Sequence, residues 1–122
     1  MEYLIVGIGG AAGSIARYCI GRVISEKTDT IFPIATFLIN ITGAFLLGMV
    51  NSLGLVRDLS LLFADGFLGA YTTFSTFMYE GFNLFQENEK GSAFKYVLGS
   101  LVLGIIGFII GIEAGKLLKN IF

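Results

Sequence analysis

The chain has no histidine and one cysteine, Cys19. These absences exclude an intrachain disulfide and a Cys/His metal site, and they leave a nucleophile with no imidazole base. Ser75 also lacks the Gly-x-Ser-x-Gly setting of a hydrolase nucleophile, because its neighbours are Thr73, Phe74, Thr76 and Phe77. Charge is scarce: Lys, Arg, Asp and Glu make up 14% of the 122 residues, eight basic against nine acidic. No basic patch exists for nucleic acid, so none is expected as a partner. The charges cluster between apolar runs, and 55% of the chain is hydrophobic. Four segments, Tyr3–Ile24, Ile31–Leu55, Leu59–Leu84 and Phe94–Leu118, each reach the ~20 residues that a bilayer span needs. This predicts an all-α membrane protein, a single domain over residues 1–122 with four transmembrane helices. The first segment starts with Glu2 where a signal peptide is basic and carries Arg17, which predicts a retained span and not a cleaved signal.

The stretch from Gly66 to Phe77 breaks the apolar pattern of the third segment. It joins Gly66 and Gly69 to four hydroxyl residues, Thr72, Thr73, Ser75 and Thr76, with Phe74 and Phe77 three apart among them. Irregular backbone survives in lipid only where protein or a water-filled cavity surrounds it. One reading is a helix broken mid-span at an ion or solute site. The other is an intact helix in which each hydroxyl bonds the carbonyl one turn back.

Elsewhere, Gly9 and Gly13 make a close-packing spacing, and Gly107, Gly111 and Gly115 form a small-residue stripe. Arg17 either snorkels to the headgroups or faces a cavity where it attracts anions. Thr36 and Asn40 share a helix face. The Asn40 amide either joins two helices or lines a pore. Asp65 and Glu80 flank the central stretch, each close enough to an interface to be a weak candidate for a buried proton carrier. Tyr96 reads first as an interfacial aromatic, but Ser100 lies on its face one turn on, which favours a pore-lining pair.

What remains for chemistry is a set of neutral donors and phenyl rings. Hydroxyl and amide protons replace the water of a small, strongly hydrated anion, and a phenyl edge carries the positive part of the aromatic quadrupole. Carbonyls released at a helix break are the opposite kind of ligand and suit a cation such as Na⁺.

These residues resemble the small fluoride channels of the Fluc family. The likeness lies in Gly9-Gly10-x-x-Gly13-x-x-x-Arg17-Tyr18, in Thr36-x-x-x-Asn40-x-x-Gly43, and above all in Gly66-x-x-Gly69-x-x-Thr72-Thr73-Phe74-Ser75-Thr76-Phe77. The resemblance implies a dual-topology, antiparallel homodimer in the inner (plasma) membrane of a bacterium, with two fluoride pores and a structural Na⁺ on the dimer axis. By position, Phe74 and Phe77 resemble an aromatic box along the pores, Asn40 a pore amide, and Ser75 and Thr76 pore hydroxyls. The carbonyls of Gly69 and Thr72 resemble the Na⁺ ligands. Glu80 matches an acidic position, and Tyr96 with Ser100 resembles a polar track on the fourth helix. Two positions depart from the pattern: Ala35 stands where a glycine usually precedes the Thr36 position, and Gly104 takes the next step of the track.

Two other classes fit less well. A small proton-coupled multidrug exporter needs a carboxylate embedded in the first segment, which has only Glu2 at its start. A purely structural membrane protein leaves Asn40 and the Thr-Phe-Ser-Thr-Phe cluster unexplained. Dual topology has support of its own in the loop charges. Arg57, Lys116 and Lys119 fall on one side and Arg22, Lys27, Lys90 and Lys95 on the other, too even a split to dictate one orientation.

Overall fold

Apolar runs bounded by charged residues become helices whose ends suit their dipoles. In a computed structural model describing residues 1–122, helix α1 (Glu2–Lys27) has Glu2 in its first turn and Lys27 in its last. It stops at Thr28, whose backbone is extended and whose hydroxyl donates to the Ile24 carbonyl. Pro33 is the N-cap of α2 (Ile34–Ser52), and Gly54 turns the chain with a positive φ of 66°. Next come α3 (Arg57–Ser60), a π-helical stretch (Leu61–Leu68) and α4 (Gly69–Tyr71), then α5 (Ser75–Gln86) and α6 (Lys90–Ile121). There are no strands.

Three helices, α1, α2 and α6, are long and apolar enough to cross a membrane. The segment expected over Leu59–Leu84 is not one such helix: α3, the π stretch, α4 and α5 share it, and residues 72–74 belong to none of them. Helix α6 overruns its expected limits at both ends, because lysines near Phe94 and Leu118 are poor in lipid but good helix formers.

The helices pack as two pairs. Helix α1 lies on the π stretch and α4, and α2 lies along α6. Glycine makes both approaches possible. A methyl group at Gly13 would overlap the Phe67 carbonyl, and one at Gly111 would overlap that of Phe45. The Gly9/Gly13 face is therefore used inside the chain. At one end of the molecule Arg57 pairs with Glu2 at 2.7 Å, and the Lys119 ammonium lies against Gly54. At the other end Thr28 and Thr30 face Asn83 and Glu87 across a cavity of about 320 Å³. The N-terminus, the loop after α2 and the end of α6 thus share one side, and the other two connections share the opposite side. Only 16 of 122 residues are buried, so most of the apolar surface is left for lipid or for another chain.

Candidate functional site

The site begins where the helix stops. Thr72 is extended (φ −81°, ψ 157°), and the residue after it turns to α2. Thr73 donates its N–H to Asn40 Oδ1, and Asn40 Nδ2 donates to the Thr73 carbonyl, both at 3.0 Å. One amide side chain thereby satisfies both polar groups of a residue outside any helix, as burial demands. The bond joins α2 to the non-helical residues 72–74 and not to another helix, and one Nδ2 hydrogen is still free in it.

The clasp has a consequence for two carbonyls. In a continuous helix the Thr73 N–H would donate to Gly69 and the Thr76 N–H to Thr72. The first goes to Asn40, and the second to Thr73 Oγ1 at 3.3 Å. Gly69 and Thr72 each lose a helical donor. The Thr72 hydroxyl, by contrast, bonds the Leu68 carbonyl one turn back at 3.0 Å, as the packed-helix reading expects of it.

Beside the clasp runs a line of aromatic rings. Phe74 and Phe77 have centroids 6.2 Å apart, and Phe77 lies 5.1 Å from Tyr96. Phe32 meets Tyr96 edge-on at 5.5 Å. Tyr96 is completely buried, so it is not the exposed interfacial aromatic that a tyrosine beside Lys95 suggests. Its hydroxyl and that of Ser100 are both buried; neither makes a hydrogen bond of good geometry within the chain, and only the Thr36 hydroxyl lies near that of Tyr96.

A cavity of about 760 Å³ joins these features, with Asn40, Asp65, Gly69, Thr72, Phe77 and Ser100 in its wall. Phe74 also lines it but is 74% exposed, on the open side. A second cavity, about 390 Å³, holds Arg17, Arg22, Thr36, Thr73, Thr76 and Glu80. Here Thr36 donates to the Glu80 carboxylate. Arg17 therefore has a cavity to face. Ser75 is exposed and lines neither of these two cavities.

The sequence model of a family described as "CrcB-like protein, Camphor Resistance (CrcB)" matches residues 4–112. The chain belongs to this CrcB/FluC family. A relative from Clostridium acetobutylicum named fluoride-specific ion channel FluC 2 is 60% identical over 111 residues, covering 91% of this chain and 95% of its own. Fluoride-specific ion channel FluC of Acidobacterium capsulatum is 46% identical over 121 residues (95% and 97%). FluC 2 of Bacillus cereus is 44% identical over 115 residues (94% and 98%). The CrcB/FluC family is one of ion channels and not of enzymes, and its members are multi-pass integral membrane proteins, of the plasma membrane in bacteria.

In this CrcB/FluC chain, Thr73 and Thr36 are the residues that sequence reasoning left out of the site. Thr73 contributes through its backbone, for which a sequence gives no signal. Thr36 shares the Asn40 face, and that spacing was the available clue. Asp65 lines the larger cavity, although its position in the segment suggested an interface.

Proposed function

We propose that the chain conducts fluoride passively and selectively, as an antiparallel homodimer with two pores and one structural Na⁺. The observation that carries this reading is the pair of buried hydroxyls beside the Phe77 ring, Ser100 with no partner and Tyr96 with only the Thr36 hydroxyl near it, neither in a hydrogen bond of good geometry. Burying an unpaired hydroxyl costs about 1–3 kcal/mol, so a purely structural role gives no reason to keep two. An anion stripped of water is the acceptor they lack. Phenyl edges from Phe74 and Phe77 and the free Asn40 hydrogen extend the row of donors, and Ser75 and Thr76 add hydroxyls where α5 begins. No lysine or arginine lines the larger cavity, which leaves a bound anion free to move on. Arg17 draws anions into the vestibule, where Glu80 and Thr36 meet the track. The names of the relatives favour fluoride as that anion.

The run from Arg57 to Gln86 crosses the bilayer as the third of four spans, interrupted at residues 72–74. The shared ends of the molecule support four crossings of one layer, and the Asn40 clasp meets the condition under which lipid tolerates such a break. The Gly69 and Thr72 carbonyls fit a hard cation that takes oxygen ligands. Each copy supplies two of them, and an antiparallel partner brings two more. The near-even loop charges support insertion both ways. A tag after Phe122 is then expected to be reachable from both faces of intact membranes, and labelling from one face only would refute the antiparallel dimer.

Purified protein in liposomes tests the function. The expected result is rapid fluoride release with chloride retained and no proton gradient required. Chloride release at the same rate would end the proposal, and fluoride release only with a proton gradient would favour an exporter.

A further inference from the structure

Asp65 lines the same cavity as Gly69 and Thr72, and it carries the only formal charge in that wall. Asp65 lies in the π stretch about one turn before Gly69, and the cavity wall brings both together with the extended Thr72. Asp65 takes part in none of the ion pairs of the chain, which join Arg22 to Glu26, Glu2 to Arg57 and Glu113 to Lys116. It makes no side-chain hydrogen bond either. Arg57 marks one end of the molecule through its bond to Glu2. Eight residues further along the chain, Asp65 lies roughly 10 Å from that end; it is exposed on the single chain, and on the proposed four-span reading it falls within the ~30 Å hydrocarbon layer. A carboxylate at that depth without a partner is costly and has to be balanced by a cation or a proton.

We infer that Asp65 supplies the negative charge that draws a monovalent cation of the Na⁺ class to the Gly69 and Thr72 carbonyls and sets its affinity. This rests on the reading of the helix break as a cation site. Neutral carbonyls replace the ion's water but leave its charge unbalanced, whereas a carboxylate one turn away offsets it. The apolar wall of Ala44, Leu47, Leu68 and Leu101 lowers the dielectric on the cavity side once a partner copy covers Asp65, which is exposed on the single chain.

The test is a Na⁺ titration of dimer assembly and thermal stability, with choline replacing Na⁺ and no flux measured. Asp65→Asn and Asp65→Thr are expected to need at least roughly tenfold more Na⁺ than wild type for half-maximal stabilisation, and Asp65→Glu less than about threefold more. Neutral variants that titrate like wild type would overturn the inference while leaving the cation site intact. An Asp65→Glu shift as large as that of Asp65→Asn would also overturn it, by making shape and not charge the cause. Neutral variants that fail to assemble even in saturating Na⁺, beside a normal Asp65→Glu, would overturn it too, because a lost fold and not a weakened ion would then be the effect of the missing charge. A wild-type dimer indifferent to Na⁺ would overturn the cation site and this inference together.

Discussion

Helix α6 and the run from Arg57 to Gln86 lie in the same molecule and handle polar groups in opposite ways. Helix α6 is 32 residues of unbroken helix, so its backbone is satisfied internally and its polarity comes from side chains. Two of those, Tyr96 and Ser100, have buried hydroxyls that make no hydrogen bond of good geometry within the chain. The other run departs from regular α-helix twice, first as a π stretch and then at Thr72, and its spare groups are backbone carbonyls. An intact helix in lipid thus offers donors, and an interrupted one offers acceptors. On the proposed function, that difference is how a chain with so few charges provides for both an anion and a cation.

The strongest way to break the contrast is at Phe77, where the two regions meet. Phe77→Ile keeps bulk and removes the ring edge, and fluoride flux in liposomes should fall by roughly a hundredfold or more with the dimer intact on size exclusion. Unchanged flux would return Phe77 and Phe74 to ordinary packing. Asn40→Ala strikes the interrupted run. It leaves the Thr73 N–H and carbonyl unpaired at about 1–3 kcal/mol each, so the melting temperature in detergent should drop markedly and flux should drop with it. A stable, fully active variant would mean that the clasp is dispensable. Ser100→Ala sharpens the contrast from the α6 side. Removing a hydroxyl that has no partner should leave stability unchanged or raised, while flux falls about tenfold. Loss of stability with flux preserved would show the hydroxyl to be structural. The smallest effect is expected for Thr72→Ser. Its carbonyl is the proposed ligand and its hydroxyl only bonds Leu68, so flux and Na⁺ dependence should stay within about twofold of wild type.

Hydropathy was enough to find α1, α2 and α6, because a bilayer span announces itself by length and apolarity. The candidate break was suggested by clustered glycines and hydroxyls, which have no ordinary place in such a run, and residues 72–74 lie outside any helix. The limits of α6 were less legible: hydropathy measures lipid solubility, and Lys90, Lys95, Lys116 and Lys119 carry helix past the apolar part. The π stretch left no trace, as no residue type distinguishes it from α-helix. The clasp between Asn40 and Thr73 joins residues 33 apart through a backbone, and only tertiary structure reveals such a pairing. The burial of Tyr96 was hidden for a related reason. A tyrosine beside a lysine looks interfacial, but Phe32, Phe37 and Phe77 close over it from other elements.

An experimental structure of the protein in lipid, grown with Na⁺ and fluoride, tests the contrast most directly. The account predicts anion density along Phe77, Tyr96 and Ser100, and a cation held by the Gly69 and Thr72 carbonyls of two antiparallel copies. Continuous helix from Gly69 to Thr76, or anions at the carbonyls with none beside Tyr96 and Ser100, would contradict it.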